Sequence, residues 1–483
     1  MTISHPSAPP AAFPPVSRVA RRARGAVFAL FFTNGALFAN LVPRYPEVKD
    51  TFGLTDPVYG ATIALFPLGA ILAGPLAARV INRYSSARTA TLGTACIGVA
   101  LSLVGLVTMW RASMGADAGS LATLAYVLFS LAFFVGGASD SITDVGQNAH
   151  GLRVQRRYGR SIINSFHGGW SLGAVTGGLM GSLAVGLGIP LGWHLLGAAL
   201  VFIAVGVGAQ HFALPGPDSA DRERATDQTP AGASTSSPSA HSSAAPAGEL
   251  STGSAGRVVV PPPGSEDAVA GLEDVHPAGP AASGAPCAVT ATSTRNWPWL
   301  AVLLMLTVLA ISGTAVEDVT STWSTLYMRD HLGVREGFAG LAFVTMLVSQ
   351  AVGRLTGDRF IDAWGMRRTV QAGGVLVLVG TGLAAAVPEV WTMLVGMVLA
   401  GLGCAVVVPV AMNAADDVPG MCPGVGLTVV TWLMRLSFLM GPPLVGLLIE
   451  ATTLRSAVLL MPIAGAVTVL SAAVLAPRRA RED

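Results

Sequence analysis

The chain has 483 residues, of which 52% are hydrophobic and only 12% charged, and its mean hydropathy is +0.60. A soluble domain usually carries about 25% charged residues, so this deficit argues against a soluble globular protein and for a polytopic helical membrane protein. The net charge of +2 gives no sign of a nucleic-acid partner. The four cysteines, Cys96, Cys287, Cys404 and Cys422, lack paired or metal-type spacing and are read as free thiols.

The N-terminus, MTISHPSAPPAAFPPVSRVARRARG, is rich in Pro and Ala and then basic, and residues 1–25 are expected to form a disordered cytoplasmic tail. The apolar stretch from Ala26 is long and ends in no small-residue cleavage site, so it reads as a retained first span and not as a signal peptide. Windows of about 20 apolar residues, the length needed to cross a bilayer, recur along the chain. In the first half they fall at 26–45, 58–80, 88–109, 120–147, 162–187 and 191–212. In the second half they fall at 298–326, 338–360, 369–387, 390–414, 425–449 and 455–476. The expected fold class is therefore an all-α membrane protein with twelve transmembrane helices. Residues 26–212 and 297–477 are its two membrane halves, and 478–483 a cytoplasmic tail. Between the halves, residues 213–296 include TPAGASTSSPSAHSSAAPAGE and show no apolar periodicity. Such a composition cannot bury enough apolar surface to offset chain entropy, and a disordered linker is predicted.

Arginine placement orients the chain. The N-terminal tail, the even-to-odd loops, the linker and the C-terminal tail hold 22 of the 29 basic residues. The alternate loops hold six (Arg44, Lys49, Arg111, Arg329, Arg335 and Arg455), and Arg435 falls inside a span. The positive-inside rule then places both termini in the cytoplasm.

The halves also resemble each other. VGQNAHG in the fourth span, with Asn148, parallels VAMNAAD in the tenth, with Asn413, and GPLAAR at Gly74 parallels GRLTGDR at Gly353. Such a six-plus-six repeat is expected of secondary transporters. The segment GRLTGDRFIDAWGMRR resembles the Gly-x-x-x-Asp-Arg…Gly-x-Arg-Arg loop motif of the major facilitator superfamily, with Gly357, Asp358, Arg359, Gly365, Arg367 and Arg368 in the matching places and Gly353 grouped with them as the start of the segment. RYGRSIINSFHGGWSLG, the preceding Asp144 and Asn148, and GLGCAVVVPV are similar to the MosC-like branch near the sugar permeases. The resemblance implies two pseudo-symmetric six-helix bundles around a central cavity that opens alternately to each side, with the loop motif as a cytoplasmic gate. The first-half counterpart, GPLAARVINRYSSARTA, lacks the acidic residue of that motif.

On that fold the charged residues within the spans become the candidate site. Asp140, Asp144 and Asn148 follow one another at intervals of four and share a helix face. Burial disfavours the ionised form of a carboxylate and can bring its titration into a range useful for proton exchange. Asp144 has a second reading, as an interfacial residue answering Arg153 and Arg156. Glu317 and Asp318 are neighbours pointing about 100° apart; Trp323 and Tyr327 are read as marking the outer interface, which would put these acids in the outer third of the seventh span. Arg435 is near the middle of its span and always charged, so it needs an anion. Glu317 or Asp318 on the adjacent span, or Asp140 across the cavity, would serve. His167 and Trp170 suit a ring-shaped polar solute, and Asn34 and Asn40 are candidate substrate contacts. The Gly173, Gly177, Gly181 ladder reads as close helix packing, and Gly441-Pro442-Pro443 as a kink.

The sequence contains no metal-spaced His/Cys set, nucleophile elbow or phosphate-binding Gly loop, so no enzyme activity, cofactor or metal is expected. The expected function is secondary active transport by alternating access, proton-coupled, for a small polar solute such as a sugar or cyclitol derivative. The alternative is proton-driven efflux of a drug or secondary metabolite. The expected partners are that solute, protons and the lipid bilayer, for a monomer in a bacterial inner membrane.

Overall fold

The computed structural model describes residues 17–115, 119–158, 162–216, 218, 298–418, 421 and 425–475. Of the expected linker, residues 213–216 and 218 are described, with Leu214 buried in the apolar core of the first bundle; the rest, and with it Arg222, Arg224, Arg257 and Arg295, lies outside the described residues, as do residues 1–16 and the tail from residue 476. The described residues form helices and turns without a strand. The first half contributes α1 (Arg18–Phe52), α2 (Asp56–Tyr84), α3 (Ser86–Ala112), α4 (Ser120–Tyr158), α5 (Ile163–Gly186) and α6 (Leu191–Gln210). The second contributes α7 (Trp299–His331), α8 (Glu336–Trp364), α9 (Met366–Ala386), α10 (Val390–Asp416), α11 (Val425–Ala451) and α12 (Arg455–Val474). Eleven are long and apolar enough to span a bilayer by length and composition. The glycine-rich α5, with 24 residues, completes the twelve. Large apolar side chains such as Leu355, Trp391 and Leu470 face outward, while Gln147, Asp318 and Gln350 are buried. This polarity suits lipid outside and a polar interior.

Three boundaries differ from the sequence reading. α1 begins at Arg18, because the Ser17 hydroxyl accepts the Ala20 N–H at 3.1 Å and the Arg/Ala run that follows favours helix. The tail expected through residue 25 is therefore helical from Arg18. α4 continues to Tyr158, well past the predicted end of its span. α10 is interrupted at Ala405–Val406, between helical stretches Val390–Cys404 and Val407–Asp416.

The internal repeat appears as a repeated packing plan. Within the first bundle α1 packs on α5 and α6, α2 on α4, and α3 on α4 and α6. Within the second, α7 packs on α11 and α12, α8 on α10, and α9 on α10 and α12, so each pairing recurs six helices later. Between bundles α2 meets α11 and α5 meets α8, and these two contacts exchange under the same shift. The turns match as well. Ser85, between α2 and α3, has φ 75° and ψ 157°, and Gly365, between α8 and α9, has φ 85° and ψ 157°. Glycine adopts this backbone freely, whereas Ser85 is strained there.

The bundles are joined at one end only. At the end opposite the start of α1 and the end of α12, a single apolar cluster runs through both bundles and includes Tyr45, Tyr59, Trp323, Phe343 and Val445. Toward the termini the apolar cores separate, one formed by the second bundle and others by the first. Small residues make the seam: Gly60 lies on the Pro442 carbonyl, Gly446 on Asp56, and Gly337 against Gly186. This close backbone approach is how helices associate where lipid removes the hydrophobic drive. Trp323 and Tyr327 are fully buried in this seam, which corrects their reading as interfacial markers. Trp323 meets Tyr59 of the other bundle edge-on at 5.1 Å, and Tyr327 stacks on His331 of its own helix at 4.8 Å.

Arg329 also crosses the seam, giving Nη1 to Asp50 Oδ2 at 2.6 Å and Nη2 to Oδ1 at 3.1 Å. The Asp50 side chain is 60% exposed, and exposed ion pairs contribute about 0.2–1 kcal/mol. Asp50→Asn is therefore expected to lower the melting temperature of detergent-solubilised protein only slightly. A loss larger than the exposed-pair range would show that this bridge, and not the glycine-lined helix contact, carries the seam.

Candidate functional site

Below the seam, between the bundles, is a cavity of about 400 Å³. It is lined from α1, α2, α4 and α5 of one bundle and α7, α8 and α11 of the other. Asp140, Asp144, Glu317 and Asp318 reach it, and so do two guanidinium groups, Arg354 and Arg435.

The first polar group draws on both bundles. Asp140 and Asp144 lie one turn apart on α4, and the Asn34 amide on α1 is directed at Asp140. Asn148 donates from Nδ2 to the Asp144 carboxylate and to its carbonyl, both at 2.9 Å. Arg435 reaches over from α11 and stands in electrostatic range of both aspartates. Its Nη1 comes within 3.8 Å of where a Cβ on Gly74 of α2 would stand, an ordinary contact distance. Arg435 has no carboxylate within salt-bridge distance among the described residues; of the anions the sequence left open, Asp140 and Asp144 are those in its electrostatic range. Asp144 lines the cavity, and α4 runs on past it to Tyr158. Arg153 turns instead to the carbonyls of Leu214, Pro215 and Gly216.

The second group belongs to one bundle. Glu317 on α7 accepts from Gln350 Nε2 and, at 3.4 Å, from Arg354 Nη2, both on α8. Gln350 also approaches Cys404 Sγ at 3.6 Å. Sequence reasoning missed Gln350 and counted Arg354 with the loop arginines. A signal was present: Phe343, Met346, Leu347, Gln350 and Arg354 all line the cavity and keep helical spacing. The third feature is Asp318 alone. It is 7% exposed, and no side chain among the described residues gives it a hydrogen bond or ion pair within contact distance.

Other candidates lie elsewhere. Trp170 lines the cavity, but His167 is exposed and packs edge-on against Phe31 at 5.2 Å, within electrostatic range of Asp144. Asn40 is turned away: its Nδ2 donates to the Ala36 carbonyl at 2.8 Å, and its Oδ1 meets His194 Nε2 at 2.9 Å. Asn413 is exposed on the last stretch of α10 and outside the cavity lining. In the loop motif, Gly353 and Gly357 pack α8 against Ala405 and Val406, where α10 is interrupted, and Gly365 makes the left-handed turn. Asp358, Arg359 and Arg368 are exposed and Arg367 half-buried. Among the described residues Asp358 and Arg359 make no ion pair, as expected where the bundles are parted. No cluster of three or more His, Cys, Asp or Glu among the described residues could hold a metal.

Two six-helix bundles related by an internal repeat, sealed at one end over a charged cavity, define a membrane-transporter architecture. Residues 299–483 match the family model of the Major Facilitator Superfamily. Over 449 residues the chain is 23% identical to the Uncharacterized transporter y4wD of Sinorhizobium fredii, covering 93% of this chain and 97% of the relative. It is 33% identical over 165 residues to Membrane protein MosC of Rhizobium meliloti, 34% of this chain and 40% of that one. The structure of a D-xylose-proton symporter superposes with a TM-score of 0.58 at 12% identity, covering 94% of this chain and 96% of that one. The chain is thus similar in its second half to the Major Facilitator Superfamily model, along nearly its whole length to a relative named as a transporter, and in fold to a sugar–proton symporter.

Proposed function

We propose that the protein is a proton-coupled secondary transporter for a small polar solute such as a sugar or cyclitol derivative, working by alternating access. It would act as a monomer in a bacterial inner membrane, with both termini cytoplasmic and the sealed end outward. The observation that carries this reading is the charge inventory of the cavity: four carboxylates from both bundles against two guanidiniums. An excess of buried carboxylates is most readily accommodated by binding protons, and charged groups on both bundles let proton and solute bind to the same moving parts. Asn34, Ser141, Ser321, Thr322 and Gln350 offer hydrogen bonds to hydroxyl groups, and Trp170 offers a ring face. The similarity to a D-xylose-proton symporter points the same way. The apolar part of the wall, with Ile63, Phe66, Phe343, Leu347 and Phe438, favours the second reading, efflux of a larger amphipathic metabolite or drug.

A thermal-shift screen of sugars, cyclitols and amphipathic drugs on purified protein should identify the solute. Proteoliposomes should then accumulate it under an imposed pH gradient. Asp140→Asn is expected to abolish gradient-driven accumulation while sparing solute exchange at equal pH. If Asp140→Asn keeps full coupling, Asp140 does not carry the proton.

A further inference from the structure

Glu317 and Asp318 are adjacent in sequence but end in different surroundings. Glu317 is held by Gln350 and faces Arg354. Asp318 Oδ2 instead fills the space at Gly441 of α11 that a side chain would otherwise occupy. The residues on either side of this notch build the seam. Pro442, next to Gly441, receives Gly60 of α2 on its carbonyl. Thr322, one turn beyond Asp318, accepts the Tyr59 hydroxyl at 2.8 Å, and the Tyr59 ring meets Trp323 edge-on at 5.1 Å.

We propose that Asp318 is the proton-operated latch of the seam: as a neutral acid it lets the far end stay shut, and as a carboxylate it opens the cavity to that side. This rests on the transport reading of the cavity, and it gives the two neighbouring acids separate tasks. The titratable groups facing Asp318 are the hydroxyls of Tyr45 and Tyr59 from the other bundle, with Asp56 and Arg329 acting on Tyr59 from farther out. α8 brings Phe343, Met346 and Leu347 to this part of the cavity, and Arg435 of α11 is turned toward Asp140 and Asp144. An ionised Asp318 thus has no cation or N–H donor in contact and must draw in water. Water reaches the notch most directly when the α2–α11 contact at Gly60 and Pro442 separates. Because Asp318 also lines the cavity, it can regain its proton from the opposite side once the seam closes.

The test needs no solute. Spin labels at Thr55 before α2 and Arg335 before α8, in a background with the four native cysteines replaced by alanine, report the far-end separation by pulsed electron resonance. Unsubstituted at Asp318, the protein should show a longer-distance population that grows as pH rises. Asp318→Asn should keep the short distance at every pH. Gly441→Ala, which displaces the carboxyl from its notch into the cavity, should move the transition to lower pH. The Gly441 variant leaves the acid in place, so it tests the latch even if Asp318→Asn fails to fold. A pH response in Asp318→Asn equal to that of the parent, or a parent with no response, overturns the latch. Neither result bears on whether the cavity carries a solute, which the accumulation assay decides.

Discussion

Arg435→Leu should reduce proteoliposome uptake to background and also destabilise the protein, and the two losses should be separable. Removing the guanidinium leaves Asp140 and Asp144 one turn apart, with the cavity's other guanidinium, Arg354, facing Glu317. Breaking a buried ion pair by deleting one partner costs about 3–5 kcal/mol. The loss should fall below that range, because Arg435 is only half-buried and stands beyond ion-pair distance of either aspartate. Arg435→Leu combined with Asp140→Asn should recover most of the lost melting temperature but no uptake. Arg435→Lys should fall between, since an ammonium supplies the charge but not the planar fork that can address two carboxylates. Normal uptake by Arg435→Leu would exclude the cavity as the transport site. Loss of uptake with full recovery in the double variant would make Arg435 a structural counter-ion only.

The fold was legible because its main determinants are local. Apolar windows give the spans, and the matching segments at Gly74 and Gly353 signal the repeat. The Gly173 to Gly181 ladder has its predicted role, with each glycine lying against a backbone carbonyl of α1. The site was legible where helical spacing alone decides, as for Asp140 and Asp144 on one face of α4. It was not legible where a neighbouring helix decides. Asn40 and Asn34 are both buried polar residues of α1, yet Asn40 meets His194 of α6 while Asn34 faces the cavity. Likewise the carboxylates near Arg435 depend on how far α11 leans toward the other bundle, which no spacing rule encodes. Trp323 and Tyr327 were misplaced by a rule for lipid-facing aromatics that does not apply to a helix enclosed by its neighbours. Arg354 was assigned to a loop because arginine clusters mark cytoplasmic ends, although its helix continues to Trp364.

The largest structural loss is expected at the contact between α1 and α5. A Cβ built on Gly173 would overlap the Phe32 carbonyl oxygen, one on Gly177 that of Ala36, and one on Gly35, from the opposite side, that of Trp170. The overlaps are with backbone, so no rotamer change relieves them and the helices must part. Ordinary overpacking costs about 1–3 kcal/mol. Gly177→Val should exceed that range, because the displacement also separates Asn34 on α1 from Trp170 and the rest of the cavity wall on α5. Gly197→Ala is the matched control: nothing lies within 4 Å of its added Cβ, and removing glycine from a helix interior gains about 0.5–1 kcal/mol. Fluorescence-detected gel filtration of the two variants should show Gly177→Val aggregated or absent and Gly197→Ala monodisperse. A monodisperse Gly177→Val with unchanged melting temperature would mean that α1 and α5 are farther apart than this packing requires, and the position of Asn34 beside Asp140 would have to be revised with it.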